Sequence, residues 1–221
     1  MTVTVRLFAM LRERAGAREV KLELPDRARV DDALAALGEV AEGMPLVMAV
    51  NREYASGDRV LAPGDELALI PPVSGGEGAP SAAAQRRAHA RVSGEPLSAD
   101  AIHARVRDRR AGAVVTFQGV TRTVDRLEYE AYAEMALAAM REIAEAAVQR
   151  HGLCAAAAEH RVGDVPLSEP SVVVAVSAPH RGEAFAGARE IIDRVKAEAP
   201  IWKHEVQDGE GRWVEGVPPA A

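Results

Sequence analysis

Cysteine is almost absent from this 221-residue chain. With Cys154 alone, no intrachain disulfide framework and no CxxC metal site can form. Its surroundings, HGLCAAAAEH, suit a small core residue better than a reactive thiol. Nor is there any run close to the roughly 18 apolar residues of a membrane span, and the opening MTVTVRLFAMLRERAG has no signal-peptide layout. A cytoplasmic protein without membrane association is expected. Basic charge is not in excess. The net charge is -6, with 9 basic and 12 acidic residues over 1–76 and 18 and 21 over 77–221, so neither part binds nucleic acid by bulk charge. The chain shows no metal-ligand cluster, no Gly-rich phosphate loop and no serine triad, so neither a metal nor a cofactor is expected.

Lysine is nearly as scarce. Of 27 basic residues only Lys21, Lys196 and Lys203 are lysines, and two of them lie seven residues apart in DRVKAEAPIWKHE. Arginine keeps its proton, whereas a partly buried lysine can shift its pKa and act as acid, base or nucleophile. Lysines in so arginine-rich a chain therefore draw attention to themselves.

What is present reads as two α+β domains joined by a linker. Over residues 1–76, TVTVRLF and REVKLEL alternate as strands around a short helix, AMLRERAG, that stops at Gly16. VDDALAALGEV places Val30, Leu34 and Leu37 at helical spacing. PLVMAVN and ELALIPPV read as strands, with YASGDRVLAPGDE as turns between them. This β-β-α-β-β order, with its helical turn, predicts a β-grasp, or ubiquitin-like, fold. Residues 77–91 are poor in large apolar side chains and rich in Ala, Gly, Pro and Ser, which predicts a linker with a helical turn at AQRRAHA. The second domain is expected over 92–221. It should hold a helix capped by Ser98, a buried strand AVVTFQG and an alternating strand LEYEAYAEM. A helix with Ala136, Met140, Ile143 and Ala147 on one stripe follows, then a strand SVVVAVSA buried on both faces and a helix from about Glu183 to Pro200.

On that last helix, Lys196 lies about 20° from Phe185 and about 40° from Ile192 on a 100° wheel, beside the expected apolar stripe. A lysine snorkelling along the core edge is the plain alternative. APHRGEAF sets His180 and Arg181 at the helix N-terminus, where backbone N–H groups favour a phosphate or carboxylate. Locally, a solvated turn with a chance His-Arg pair accounts for it equally well.

The motifs FQGVTR, LEYEAYAEM, EHRVGDVPLSEPSVVVAVSAPHRGEAF, IIDRVKAEAPIWKHE and GRWVE, taken together and in order, resemble the large, catalytic subunit of molybdopterin synthase. Residues 1–76, ending in Gly75-Gly76 after LIPPVS, resemble the small sulfur-carrier subunit of the same enzyme. The resemblance implies a sulfurtransferase of molybdenum cofactor biosynthesis. A thiocarboxylate on Gly76 would enter a pocket of the catalytic domain and deliver sulfur to cyclic pyranopterin monophosphate, forming the molybdopterin dithiolene. By the same resemblance Lys196 and Lys203 are catalytic, while Phe117, Arg122, His180 and Arg181 bind substrate or the carrier's carboxyl end. It implies as partners the pterin, a separate adenylating and sulfurating enzyme, and a second fused chain in a homodimer. His204 stands where the family often has another lysine.

The fusion itself departs from the family. Adenylation needs a free carboxylate on Gly76, yet that carbonyl is in an amide to Glu77. Cleavage after Gly76, a separately encoded carrier, or a merely docking first domain would each resolve the conflict; cleavage is favoured, because a Gly-Gly in a Pro- and Ala-rich connector is open to proteases. A noncatalytic ubiquitin-like adaptor is the rival reading, which the lysine pair and the PHRGEAF turn disfavour.

Overall fold

The computed structural model describes residues 1–41, 46–71 and 87–214. Gly75, Gly76 and most of the expected linker lie outside the described residues. The chain divides into two units, Met1–Val73 and Ser74–Ala221.

In the first unit, β1 (Thr2–Leu7) is followed by α1 (Ala9–Ala15), β2 (Glu19–Glu23), α2 (Val30–Leu37) and a 3-10 turn, Gly38–Val40. Then come β3 (Val47–Val50), β4 (Glu53–Ala55) and β5 (Glu66–Ile70). The sheet order is β2-β1-β5-β3-β4, with the first and last strands side by side and parallel. That pairing across the whole length of the unit defines the β-grasp. Alternation in β1 buries Val3, Val5 and Leu7 against Leu67 and Leu69 of β5 and against Val30 and Ala33 of α2. Leu34 and Leu37 pack on the same cluster. Asp32 accepts a 2.7 Å hydrogen bond from the Arg29 N–H, closing the first turn of α2 on itself. The segment expected as turns does hold one short strand, β4, because Asn51 and Arg52, both at positive φ, form a tight hairpin back from β3.

The second unit opens with β6 (Ala88–Ser93) and α3 (Ala99–Arg105), then β7 (Ala113–Val120), β8 (Arg126–Ala131) and α4 (Ala133–Arg150). It continues with β9 (Ala155–Arg161), β10 (Gly163–Pro166), β11 (Pro170–Ala178), α5 (Arg181–Glu198), β12 (Ile201–Gln207) and β13 (Glu210–Val214). One sheet runs β6-β9-β11-β7 and the other β10-β8-β12-β13. Helices α4 and α5 cover one face of the first sheet through Met140, Ile143, Ala147, Ile191 and Val195, packed on Ala156, Ala158, Val172 and Val174. Helix α3, capped by Ser98 accepting from the Ala101 N–H at 3.2 Å, covers the other face with Ile102 and Val106. The hairpin joining β12 to β13 turns at Asp208-Gly209, both at positive φ, as a type I′ turn requires.

Three local expectations change. Strand β6 starts at Ala88, across the expected boundary at Val92 and where a helical turn was expected. Its inward residues are Ala88, Ala90 and Val92, apolar enough to pack but too small to stand out in composition. Its outward residues His89 and Arg91 hold the buried Glu159 at 3.0 and 2.6 Å, and Arg105 of α3 reaches the same carboxylate at 3.4 Å. Strand β7 alternates rather than being buried throughout, because it is the sheet edge and only its helix-facing side is covered; Val114 and Val120 are exposed. Finally, α5 begins at Arg181, and its buried stripe is Ala184, Gly187, Ala188, Ile191, Ile192 and Val195. Phe185 is 65% exposed and lies outside the stripe, whereas Lys196 keeps its expected place beside it, next to Ile192 and Val195, with its own side chain exposed.

Candidate active site

Register decides which of the candidate residues meet. β7 and β11 are antiparallel, pairing Pro170 with Val120 and Ala178 with Ala113. The seven steps between those ends span about 23 Å. His180 and Arg181 follow Ala178 at one end, and Arg122 follows Val120 at the other. From Arg181, α5 travels about 22 Å back along the sheet before Lys196. Lys196 therefore belongs to the Val120 end. Strand β12 brings Lys203 there as well, directly opposite Tyr129 of β8. Phe117, half-buried on the helix-facing side of β7, packs against the same core. One end of the sheet thus gathers Lys196, Lys203 and Arg122, with Phe117 three residues in from that end, opposite Val174. His180 and Arg181 stand exposed at the opposite end.

The lysine end rests on a layer of hydrogen bonds. The Tyr129 hydroxyl donates to Ser171 Oγ at 3.2 Å, and Ser171 Oγ donates to the Gly119 carbonyl at 3.3 Å. The register slips between Pro170 and Val172, a bulge that re-aims Ser171. Gly119 is required here, since a Cβ would lie 2.7 Å from Val172 Cγ1. The Tyr129 ring meets His160 edge to face, with centroids 4.9 Å apart. His160 Nδ1 lies 2.8 Å from the Arg161 carbonyl, so that nitrogen carries the proton. Burial pushes the His160 pKa down to about 4; the bond to the carbonyl opposes this and the Lys196 charge adds to it. Burial likewise raises the Tyr129 phenol.

Lys203 is restrained from the side. Its ammonium donates to Glu205 at 3.0 Å, and Arg212 donates to the other oxygen of that carboxylate at 3.1 Å. The bond from Lys203 first, and that from Arg212 after it, hold the Glu205 carboxyl below its usual range. His204, the departure from the family pattern, points to the other face of β12, where it pairs with Glu128 at 3.2 Å and packs on Trp213. It therefore leaves the Lys203 face unaltered. Cys154 is buried, and burial raises its thiol pKa, as befits a core residue.

Sequence reasoning misses Tyr129, Ser171 and His160 as site residues. Only His160 leaves a trace, as a polar ring in a strand, AAAAEHR, that is otherwise small and apolar before its last residues.

At the other end, His180 occupies the N-cap of α5 in extended conformation, and Arg181 opens the first turn. Free N–H groups and an arginine favour an anion there. Glu183 in the same turn supplies one negative charge already.

Comparisons with known proteins cover both units. The family model described as MoaE protein matches residues 92–198, and that of the ThiS family matches residues 5–76. A molybdopterin synthase catalytic subunit of Aspergillus niger is 41% identical over 132 residues, which is 57% of this chain and 73% of the relative. The one from Thermoplasma volcanium is 43% identical over 116 residues, 49% of this chain and 85% of the relative. Among solved structures, molybdopterin synthase from Staphylococcus aureus superposes with a TM-score of 0.53 at 31% identity, covering 56% of this chain and 95% of that one. Molybdopterin cofactor biosynthesis protein E from Burkholderia multivorans gives 0.50 at 35%, covering 58% and 88%.

Fold and family matches together define a sulfurtransferase domain that follows a β-grasp domain of the sulfur-carrier type. The chain belongs to the molybdopterin synthase family, with a catalytic-subunit domain and a ThiS-family domain in one polypeptide, and its role lies in molybdenum cofactor biosynthesis. Among the described residues, no helix is long and apolar enough to cross a membrane.

Proposed function

We propose that the second unit transfers sulfur to cyclic pyranopterin monophosphate from a thiocarboxylate on Gly76, made available by cleavage after that residue. The observation that carries this reading is the convergence of Lys196 and Lys203 on one end of the sheet, above the Tyr129–Ser171–Gly119 layer. Lys196, exposed and not committed to a carboxylate in any described ion pair, takes the proton-transfer or transient-bonding role at the pterin side-chain carbon. Lys203, held by Glu205, assists the acid-base steps. Phe117 walls the pocket, and Arg122 binds the carrier's terminal carboxyl group.

His180 and Arg181 belong to the same reaction as the phosphate-binding pair, but not with the lysines of their own chain. A separation of about 23 Å along the strands exceeds the length of a three-ring pterin. In the homodimer proposed here, His180 and Arg181 of a second copy complete the site built by Lys196 and Lys203. Lys196→Arg keeps the charge but removes the transferable proton, and is expected to abolish sulfur transfer from a separately supplied, thiocarboxylated residue 1–76 carrier; full activity would sink the assignment. The donor half is tested by the intact mass of the protein from its own host. A fragment ending at Gly76 supports cleavage, and a single uncut chain contradicts it.

A further inference from the structure

Three neighbouring strands, β9, β11 and β7, meet at the Val120 end, and one buried cation reaches across them. Arg161 closes β9, opposite Ser93 of β6, and is 9% exposed. Its guanidinium donates through Nη1 to the Glu169 carboxylate, while its Nε is buried with no hydrogen-bond partner among the described residues. Glu169 is the one carboxylate paired with it there. A buried ion pair is poor grounds for stability, because desolvation offsets the attraction between the charges. What such a pair can fix is direction.

Glu169, the last residue before β11, in turn holds the end of β7. The Thr121 N–H donates to the Glu169 carbonyl at 3.1 Å, and the Ser168 N–H donates to the Thr121 carbonyl at 2.9 Å. The Glu169 N–H closes the 166–169 turn onto the Pro166 carbonyl at 3.1 Å. Ser168 adopts a φ of 69°, a left-handed conformation that a serine keeps only where its neighbours impose it. Thr121 is 2% exposed, and the next residue is Arg122. Beyond Arg122 the chain turns at Thr123, with a φ of 63°, whose hydroxyl donates to the Arg122 carbonyl at 2.6 Å. The Asp125 N–H is then taken up by the Val206 carbonyl at 3.1 Å. Arg122 thus stands on a short loop tied down at both ends, and the tie at Thr121 runs through Glu169 to Arg161.

We propose that Arg161 and Glu169 are positioning residues for Arg122: their ion pair fixes the 166–169 turn, the turn fixes Thr121, and Arg122 is presented to the carrier's terminal carboxyl group from a root that does not move. This inference rests on the carboxyl-binding role given to Arg122 above. Neither residue binds the carrier or the pterin itself. Arg161 is buried, and the Glu169 carboxylate is committed to it. Their effect reaches the reaction only through Arg122.

Two measurements on the full chain test this. The first is amide hydrogen exchange, read residue by residue by NMR, in the parent, Arg161→Met and Arg161→Lys. Met keeps most of the side-chain volume without the charge, and Lys keeps the charge. In Arg161→Met the Thr121 and Ser168 amides are expected to exchange about tenfold faster or more, with those of Val174 and Val176 in the middle of β11 unchanged; in Arg161→Lys they should stay within about threefold of the parent. Unchanged exchange at Thr121 and Ser168 in Arg161→Met, or equal acceleration throughout the second unit, overturns the proposal. The second measurement is the KM for a thiocarboxylated residue 1–76 carrier. Arg161→Met is expected to raise it about tenfold with kcat within about twofold, and to change it less than about twofold once Arg122 is replaced by Ala, because both act through one contact. Equal effects in the two backgrounds overturn the proposal. If Arg122→Ala by itself leaves KM unchanged, the carboxyl-binding role of Arg122 falls, while the exchange data still decide whether Arg161 holds the loop.

Discussion

The two ends of the β6-β9-β11-β7 sheet are built on different principles. At the Val120 end, groups from several strands are hydrogen-bonded or packed together: Tyr129, Ser171, the Gly119 carbonyl and His160 form a partly buried layer beside Lys203. At the Ala178 end, His180 and Arg181 stand in water at a helix start and rely on backbone N–H groups and their own charge. The first design suits chemistry, which needs groups fixed in direction. The second suits capture of an anion, which needs charge more than precision. The two are a strand's length apart, so one substrate can use both only where two chains meet.

The largest effect is expected at the lysine end. Lys196→Arg should cost roughly 10²–10⁴-fold in single-turnover sulfur transfer, the range expected when a proton-transfer group is lost. Carrier binding and the melting temperature should not change, because Lys196 is exposed.

Next comes acid sensitivity. His160 has a folded pKa of about 4, below its ordinary value near 6.5, so between those values the unfolded chain binds the extra proton. Its contribution to stability is complete above pH 6.5 and is lost as pH falls to 4, by as much as about 3 kcal/mol. Denaturant midpoints for His160→Gln should fall less steeply than the parent's across that window, while Arg181→Ala should follow the parent.

Arg181→Ala sharpens the other side. Loss of a charge-assisted contact to phosphate should raise the pterin dissociation constant by an amount worth about 1.5–3 kcal/mol. The bound substrate should still react, and thermal melts should superimpose on the parent's.

Much of this is legible in the order of the amino acids. The β-grasp follows from the alternation of TVTVRLF and REVKLEL around one amphipathic helix, and the core stripe of α4 follows from Ala136, Met140, Ile143 and Ala147, all buried. What escapes depends on tertiary partners. Strand β6 is hidden because alanine serves as its apolar residue, and β7 reads as buried because nothing in AVVTFQG says that it lies at an edge. Lys196 does lie beside the buried stripe, next to Val195 and Ile192, but Phe185, which the sequence offers as part of that stripe, is turned outward. The division of the site into two ends cannot be read at all. It is set by the β7–β11 register, and the sequence separation of Arg122 and Arg181 carries no information about that. Tyr129, Ser171 and His160 lie on three strands and meet only once those strands are paired.

The division of the site between two copies is tested most directly by complementation between two defective variants. Lys196→Arg and Arg181→Ala chains would be co-expressed with different tags, and sulfur transfer measured with a thiocarboxylated residue 1–76 carrier at limiting pterin. If each site takes its lysines from one copy and its His180–Arg181 pair from another, a mixed dimer holds one intact site, and random pairing should restore about a quarter of the parent's activity. If the mixture is no more active than the sum of the two variants alone, the site does not combine residues from two chains, and the division of labour between the two ends of the sheet is wrong.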